Sequence, residues 1–322
     1  MGIKKLKGGS LSDAYHITNS DGEFVMKNIT RSREREYGFM RWYSQMKKQQ
    51  RLHKLHPEFI VPISYITSED DPSLAELWMP YLKGYTDVKT ILSTMELTEE
   101  QIFRISKAIW RGFDAIHSNT YDAIDGAGEL YFHEEVIQKM MDACLSDNQF
   151  DKFYANESFD YHGQIVHGIN NYWYDLQEYF YELKLPFEQD ILGNPTLENI
   201  MYSFEEDKVK FIDLYEESMI DTKFLDYSMV LQCSRSHYGY INDNSVKVGY
   251  DFVSHELQIP KNFETFNYHF EAELPDEQKQ LIDILEATQF IRMLPFKVKA
   301  GDIDKAKYFY VHACYLLGKA LK

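Results

Sequence analysis

The stretch Leu192-Gly193-Asn194-Pro195-Thr196-Leu197-Glu198-Asn199-Ile200, followed by Phe211-Ile212-Asp213, constrains this chain more than any other. It reads as a tight loop between short apolar strands. One strand ends near Leu192, the next runs from Ile200 to Phe204, and a third follows the Glu205-Glu206-Asp207 turn, from Val209 to Asp213. Asn194, Asn199 and Asp213 then stand at strand ends and face one crevice. Oxygen-bearing side chains gathered in that way suit a phosphate and its metal ion.

The rest of the composition narrows the class of protein. A chain of 322 residues, 44% hydrophobic and 26% charged, can bury a sizeable core in one two-lobed unit or two domains. No apolar run is long enough to span a bilayer, and the basic start Met1 to Lys7 leads into no apolar signal segment. Cys144, Cys233 and Cys314 are odd in number and widely spaced, which makes neither a disulfide framework nor a zinc site. A reducing cytoplasm is the expected compartment. The net charge of −17 argues against nucleic acid or an anionic membrane as partner, and nothing in the chain specifies an oligomeric state.

Taken in order, the N-terminal part reads as three antiparallel strands. Gly8-Gly9-Ser10-Leu11-Ser12-Asp13 joins the first two, and Asn19-Ser20-Asp21-Gly22 makes the turn into the third. In that third strand Val25, Lys27 and Ile29 share a face, so the lysine ammonium needs an anionic partner. Residues 31 to about 55 read as a helix whose apolar side carries Phe39, Met40, Tyr43 and Met46. Glu36 falls on that side and is the expected partner of Lys27. Two further strands, Phe59 to Ile66 and Leu74 to Met79, lead to a connector at Pro80-Tyr81-Leu82-Lys83-Gly84. Thr98-Glu99-Glu100-Gln101 is a capping box opening a helix that ends near His117. Residues 120 to 186 read as helical and rich in aromatic residues. After the opening stretch, helices are expected over Phe224 to about Ser236, Asp276 to about Met293, and Asp302 to the end.

This ordered set resembles the aminoglycoside phosphotransferase and choline kinase branch of the protein-kinase-like fold, the bacterial small-molecule kinases. It is most similar to members found with capsule and surface-polysaccharide genes, whose core motif reads His-Gly-Asp-Pro-Thr-x-x-Asn-Ile. Gly193, Pro195, Thr196, Asn199 and Ile200 match that motif, and Phe224-Leu225-Asp226-Tyr227 with Leu231-Gln232 resembles a later family segment. The resemblance implies an α+β, bilobal fold. Residues 1–82 would form a small antiparallel sheet lobe with one helix. Residues 83–322 would form a mainly helical lobe containing the catalytic loop, 190–213, and acceptor-binding helices. It further implies that Gly8, Gly9, Ser10 and Ser12 cover the phosphates of ATP, and that Lys27, held by Glu36, pairs with the α- and β-phosphates. Met79, Tyr81 and Leu82 would lie in the hinge whose backbone meets adenine, and Asn199 and Asp213 would hold Mg²⁺. The partners implied are a nucleotide and a small-molecule acceptor, a sugar or amino-alcohol whose hydroxyl receives the phosphate.

Two positions depart from the family pattern. Its His is Leu192 here, and its catalytic Asp is Asn194. An amide can orient an acceptor hydroxyl but has essentially no basicity, and general-base help is typically worth roughly 10²–10⁴-fold. Phosphoryl transfer depends mainly on positioning and charge neutralisation, so the scaffold itself does not need that carboxylate. The amide fits an introduced change, natural divergence to a nucleotide-binding pseudokinase, or an enzyme in which Asp190 substitutes. Transfer of AMP instead of phosphate is a further alternative.

Overall fold

The sharpest local signal, Asn19-Ser20-Asp21-Gly22, folds as its residue types dictate. In the computed structural model Asn19 Oδ1 accepts the N–H groups of Asp21 (2.8 Å) and Gly22 (3.1 Å), and Gly22 takes a φ of 135°. The structure describes residues 2–6, 13–30, 36–67, 74–122, 125–185, 188–216 and 220–321. The turn joins β2 (Asp13–Asn19) to β3 (Gly22–Thr30), with β1 (Gly2–Leu6) on the far side of β2. Helix α1 (Glu36–Leu55) follows, then β4 (Ser64–Thr67) and β5 (Leu74–Pro80), giving an antiparallel sheet of order β1-β2-β3-β5-β4. Trp42 and Met46 of α1 pack on Ala75 and Leu77 of β5. Cross-strand register places Leu77 opposite Lys27, so α1 covers the face that carries the lysine. Trp42 is a core residue that the expected apolar stripe of α1 omits.

The chain continues through β6 (Thr86–Asp87), α2 (Val88–Thr94) and α3 (Glu99–Ile116). The capping box forms as expected. Thr98 N–H donates to Gln101 Oε1 (2.9 Å), and Gln101 N–H to Thr98 Oγ1 (3.3 Å). The expected helical run over residues 120 to 186 is corrected by the structure. It holds β7 (Thr120–Tyr121), α4 (Ala127–Tyr131), a π-helical turn (Phe132–Ile137), α5 (Gln138–Ser146) and α6 (Asn148–Tyr154). A hairpin, β8 (Ser158–Tyr161) and β9 (Gln164–His167), and α7 (Trp173–Glu182) complete it. The hairpin turns on His162 (φ 51°) and Gly163 (φ 82°), the two left-handed residues of a type I′ loop. Phe159, Tyr161 and Val166 alternate inward along it, a period of two hidden by the aromatic density around it.

Next come β10 (Glu188–Gln189), paired with β7, then β11 (Ile200–Ser203) and β12 (Lys208–Phe211). The C-terminal elements are α8 (Lys223–Ser234), α9 (Tyr238–Asp243), β13 (Lys247–Val248), β14 (Phe252–Ser254), α10 (Lys261–Glu271), α11 (Lys279–Lys299) and α12 (Ile303–Ala320). Two compact units result. One comprises Met1–Ile91, Ala108–Ile116 and Leu192–Ser218; the other comprises Leu92–Lys107, His117–Ile191 and Met219–Lys322. The loop 192–213 falls in the first unit, where β11 pairs with β6 and Phe211 stacks on Phe113 of α3 (5.8 Å, 6°). Gly112 permits that stack, since a Cβ there would lie 2.6 Å from the Phe211 ring.

The second unit is built around α11 and α12, both heavily buried. Arg235, after α8, reaches Glu271 (3.3 Å), Asp283 (2.5 Å) and Glu286, and so ties α10 and α11 together around one guanidinium. At the end of α3, His117 Nε2 meets Asp226 Oδ2 of α8 at 3.0 Å, both side chains buried. No helix among the described residues is long and apolar enough to cross a membrane.

Aromatic and imidazole rings fill the space beside α12. His162 Nε2 meets the Tyr308 hydroxyl (3.1 Å), which meets that of Tyr161 (3.2 Å), which meets His312 Nδ1 (2.6 Å). Burial drives His312 down to about 3 and His237 to about 4, with His255 and its neighbours adding repulsion. Both folded-state values lie below the ordinary 6.5, so the unfolded chain binds more protons in acid. Their stabilisation is complete above about pH 6.5 and falls away as pH drops through the folded values. Stability should decline by roughly 1.4 kcal/mol per pH unit for each histidine over the upper part of that window. Urea titrations between pH 7 and 4 check this, and His312→Gln should flatten the slope by about one proton's worth. A slope unchanged in that variant contradicts it.

Candidate active site around Lys27 and Asp213

Lysine in the middle of a sheet costs free energy unless its charge is met, and the partner comes from far along the chain. Lys27 of β3 projects from the face it shares with Ala14, Val25 and Leu77, and its Nζ contacts both carboxylate oxygens of Asp213. The lysine side chain is 13% exposed and the aspartate 36%, so the pair is only partly screened by water. Asp213 was expected at a strand end, but as a metal ligand and not as the partner of Lys27. No feature of local spacing signals a contact across 186 residues of sequence.

Short backbone and amide bonds hold the carboxylate in place. Asp213 sits just past β12 in the left-handed region, φ 54°. Asn194 Nδ2 donates to the Asp213 carbonyl (3.1 Å), Asn199 Nδ2 to the Asn194 carbonyl (3.0 Å), and Ile212 N–H to the Asn199 carbonyl (3.1 Å). Tyr215 N–H closes the far side on Leu192 O (2.9 Å). Both asparagines thus spend an N–H inside the loop, which leaves the side-chain oxygen of each as its remaining ligand atom. Gly193 turns the chain at φ 72°, where an added Cβ would meet Tyr215 Cβ at 3.0 Å. Lys89 braces the outer side, its N–H on Leu197 O (3.1 Å) and its ammonium on Glu198.

The expected site residues divide accordingly. Lys27, Asn194, Asn199 and Asp213 form one connected group. Gly8, Gly9, Ser10 and Ser12 lie outside the described residues, and Glu36 opens α1 but its side chain is outside them too. Met79 is buried opposite Val25, and Leu82 O accepts Tyr85 N–H (3.2 Å). Tyr81 N–H donates to Glu23 O (3.0 Å), and its ring stacks on His16, a residue absent from the sequence expectations. Asp190, a conceivable substitute acid, accepts from Asn119 Nδ2 (3.1 Å) and the Tyr121 hydroxyl (2.9 Å). Those bonds anchor it as a structural carboxylate. A groove of about 470 Å³ floored by Phe24 and Trp78 opens on the opposite sheet face from Lys27.

Chemically, one ammonium, one carboxylate and two side-chain amides lie together at the end of β12. The donor set is all hard oxygen apart from the lysine, which matches a divalent cation such as Mg²⁺ beside a phosphate. It contains no strong base at position 194.

No family model and no curated protein sequence matches the chain. Solved structures do. A thermostable mutant of aminoglycoside phosphotransferase APH(4)-Ia in its apo form superposes with a TM-score of 0.57 at 10% identity, covering 99% of this chain and 94% of that one. A related mutant, in ternary complex with AMP-PNP and hygromycin B, gives 0.56 at 9% identity with the same coverage. The GDP complex of a mutant aminoglycoside 2′-phosphotransferase IIIa gives 0.56 at 12%, covering 99% and 91%. The α+β fold of this chain is the kinase-like fold of those proteins.

The left-handed Gly193 gives a direct check on the loop. Gly193→Ala forces a Cβ into a positive-φ position against Tyr215 and should cost roughly 1–3 kcal/mol. Chemical denaturation measures it, and an unchanged midpoint contradicts the geometry.

Proposed function

We propose that this chain is a nucleotide-dependent phosphotransferase scaffold that takes ATP with Mg²⁺ and a small-molecule acceptor, with its catalytic position disarmed. The observation that carries the reading is the Lys27–Asp213 contact, set beside Asn199 in a fold whose solved members hold AMP-PNP, ADP or GDP. The acceptor is a sugar or amino-alcohol hydroxyl, as hygromycin B in two of those complexes and the surface-polysaccharide likeness of the loop both suggest. The cytoplasm is the proposed compartment.

The residues fit such a pair of ligands. Asp213 and the Asn199 oxygen would hold Mg²⁺, which when bound neutralises charge on phosphate oxygens. Lys27 would exchange the Asp213 carboxylate for a phosphate, and Gly8 to Ser12 and Glu36 would complete the nucleotide side. Asn194 would orient the acceptor hydroxyl through its oxygen but cannot accept its proton. A second reading, a pseudokinase that binds nucleotide and regulates a partner, is favoured by one observation. The Asn194 amide donates to Asp213 O, which a carboxylate cannot do, so the loop is fitted to the amide.

Two outcomes follow. Mg-ATP at 100 times its Kd should add about 2.7 kcal/mol of stability, visible as a rise in Tm, and Lys27→Ala should remove most of it. Absence of a shift with any nucleotide sinks the assignment. Asn194→Asp should raise transfer to an acceptor by roughly 10²–10⁴-fold. The same change should cost about 1 kcal/mol for the lost donor. No turnover in either chain, with Mg-ATP bound by both, supports the pseudokinase.

A further inference from the structure

The groove on the far face of the N-terminal sheet carries rings and charge that the loop chemistry leaves unused. It lies wholly within the first unit, between residues 19 and 80. Alternation along β5 sets Glu76, Trp78 and Pro80 on that face, and register adds Ser64 beside Trp78 and Phe24 beside Pro80. The rings of Phe24 and Trp78 meet edge to face, 6.3 Å between centroids and 71° from parallel, and so make a corner. Pro62 and Pro80 line its sides. The Phe24 ring lies 3.7 Å from where a Cβ on Gly22 would stand, which brings the corner up to the turn that carries Asp21.

Two carboxylates border this corner without a cation. Elsewhere in the sheet Asp13 meets Lys5 (2.9 Å) and Glu23 meets His16 (3.0 Å). Among the described residues, by contrast, the Asp21 carboxylate receives only the Ser20 hydroxyl (3.3 Å), and that of Glu76 only the Trp78 indole N–H (3.1 Å). No Lys, Arg or His among the described residues lines the groove. Asn19 spends its Oδ1 on the turn, so its amide N–H groups and the Ser64 hydroxyl are the donors that remain. The occupant that matches is apolar, positively charged and rich in acceptors.

We propose that this groove docks an extended proline- and arginine-containing segment of a partner polypeptide. A polyproline II strand is ordered before it binds and makes no internal hydrogen bonds, so its carbonyls are free to accept from Asn19 and Ser64. Proline rings pack in the Phe24–Trp78 corner. A guanidinium is planar, so it stacks on the indole and still pairs with the Asp21 carboxylate, which an ammonium does less well. The groove faces away from Lys27, so this docking does not rest on the nucleotide reading.

Fluorescence anisotropy of the full chain with a labelled decapeptide, carrying Pro-x-x-Pro and two arginines, tests this. At about 0.15 M salt the Kd should be about 100 µM or tighter. Exchanging the peptide's arginines for glutamate, or its prolines for alanine, should weaken binding by about tenfold or more. Trp78→Ala should weaken it by about thirtyfold. Asp21→Lys, on an exposed turn held by Asn19 and Gly22, should weaken the arginine peptide by about tenfold and strengthen binding of the glutamate one. Equal affinity for a lysine peptide of the same charge, without proline or arginine, overturns the inference, since a net charge of −17 alone would give that result. Absence of binding at about 1 mM peptide, or affinity unchanged in Asp21→Lys, overturns it too.

Discussion

The contact between the Lys27 ammonium and the Asp213 carboxylate is the interaction on which the first unit depends. It joins the central strand of the N-terminal sheet to the end of β12 across 186 residues of sequence. Neither charge is comfortable alone in its place. The lysine stands on an apolar face beneath α1, and the aspartate sits in a strained left-handed conformation at a strand end. Each supplies the counter-charge of the other, the lysine side chain being 13% exposed and the aspartate 36%. The hydrogen bonds of Asn194 and Asn199 then fix the backbone that presents the carboxylate.

That arrangement also explains why an amide at position 194 is compatible with an ordered site. A carboxylate there would set a negative oxygen against the Asp213 carbonyl and would have to turn away to avoid it. The amide instead donates, and so braces the Asp213 backbone. Leu192, buried where the family pattern has histidine, adds apolar packing to the same side of the loop. On the proposed reading, such a site would hold a phosphate and a cation but would not remove a proton.

Much of this was legible in the residues. The Asn19–Gly22 turn, the Thr98 cap and the α3 stripe of Ile102, Ile105, Ile109 and Phe113 are local signals, and each one formed. The polar tips Asn194, Asn199 and Asp213 were legible as a group because they flank short apolar strands. The contact of Lys27 with Asp213 was not, since 186 residues of sequence separate them. The β8–β9 hairpin was lost because Tyr and Phe serve helix and strand alike, and only the His162-Gly163 turn separates the two. His16 carried no signal at all, because its contact with Tyr81 depends on the β2–β3 and β3–β5 registers together.

A cation site at Asp213 and Asn199, next to Lys27, is the central proposal. Its most direct test is the dependence of ATP affinity on Mg²⁺, measured by calorimetry on the unaltered chain and on Asp213→Asn. Mg²⁺ should tighten ATP binding by about tenfold or more in the unaltered chain, as expected for a charge-neutralising ion held by a carboxylate, and by little in the variant. An affinity that ignores Mg²⁺, or a Mg²⁺ effect that survives in Asp213→Asn, contradicts it.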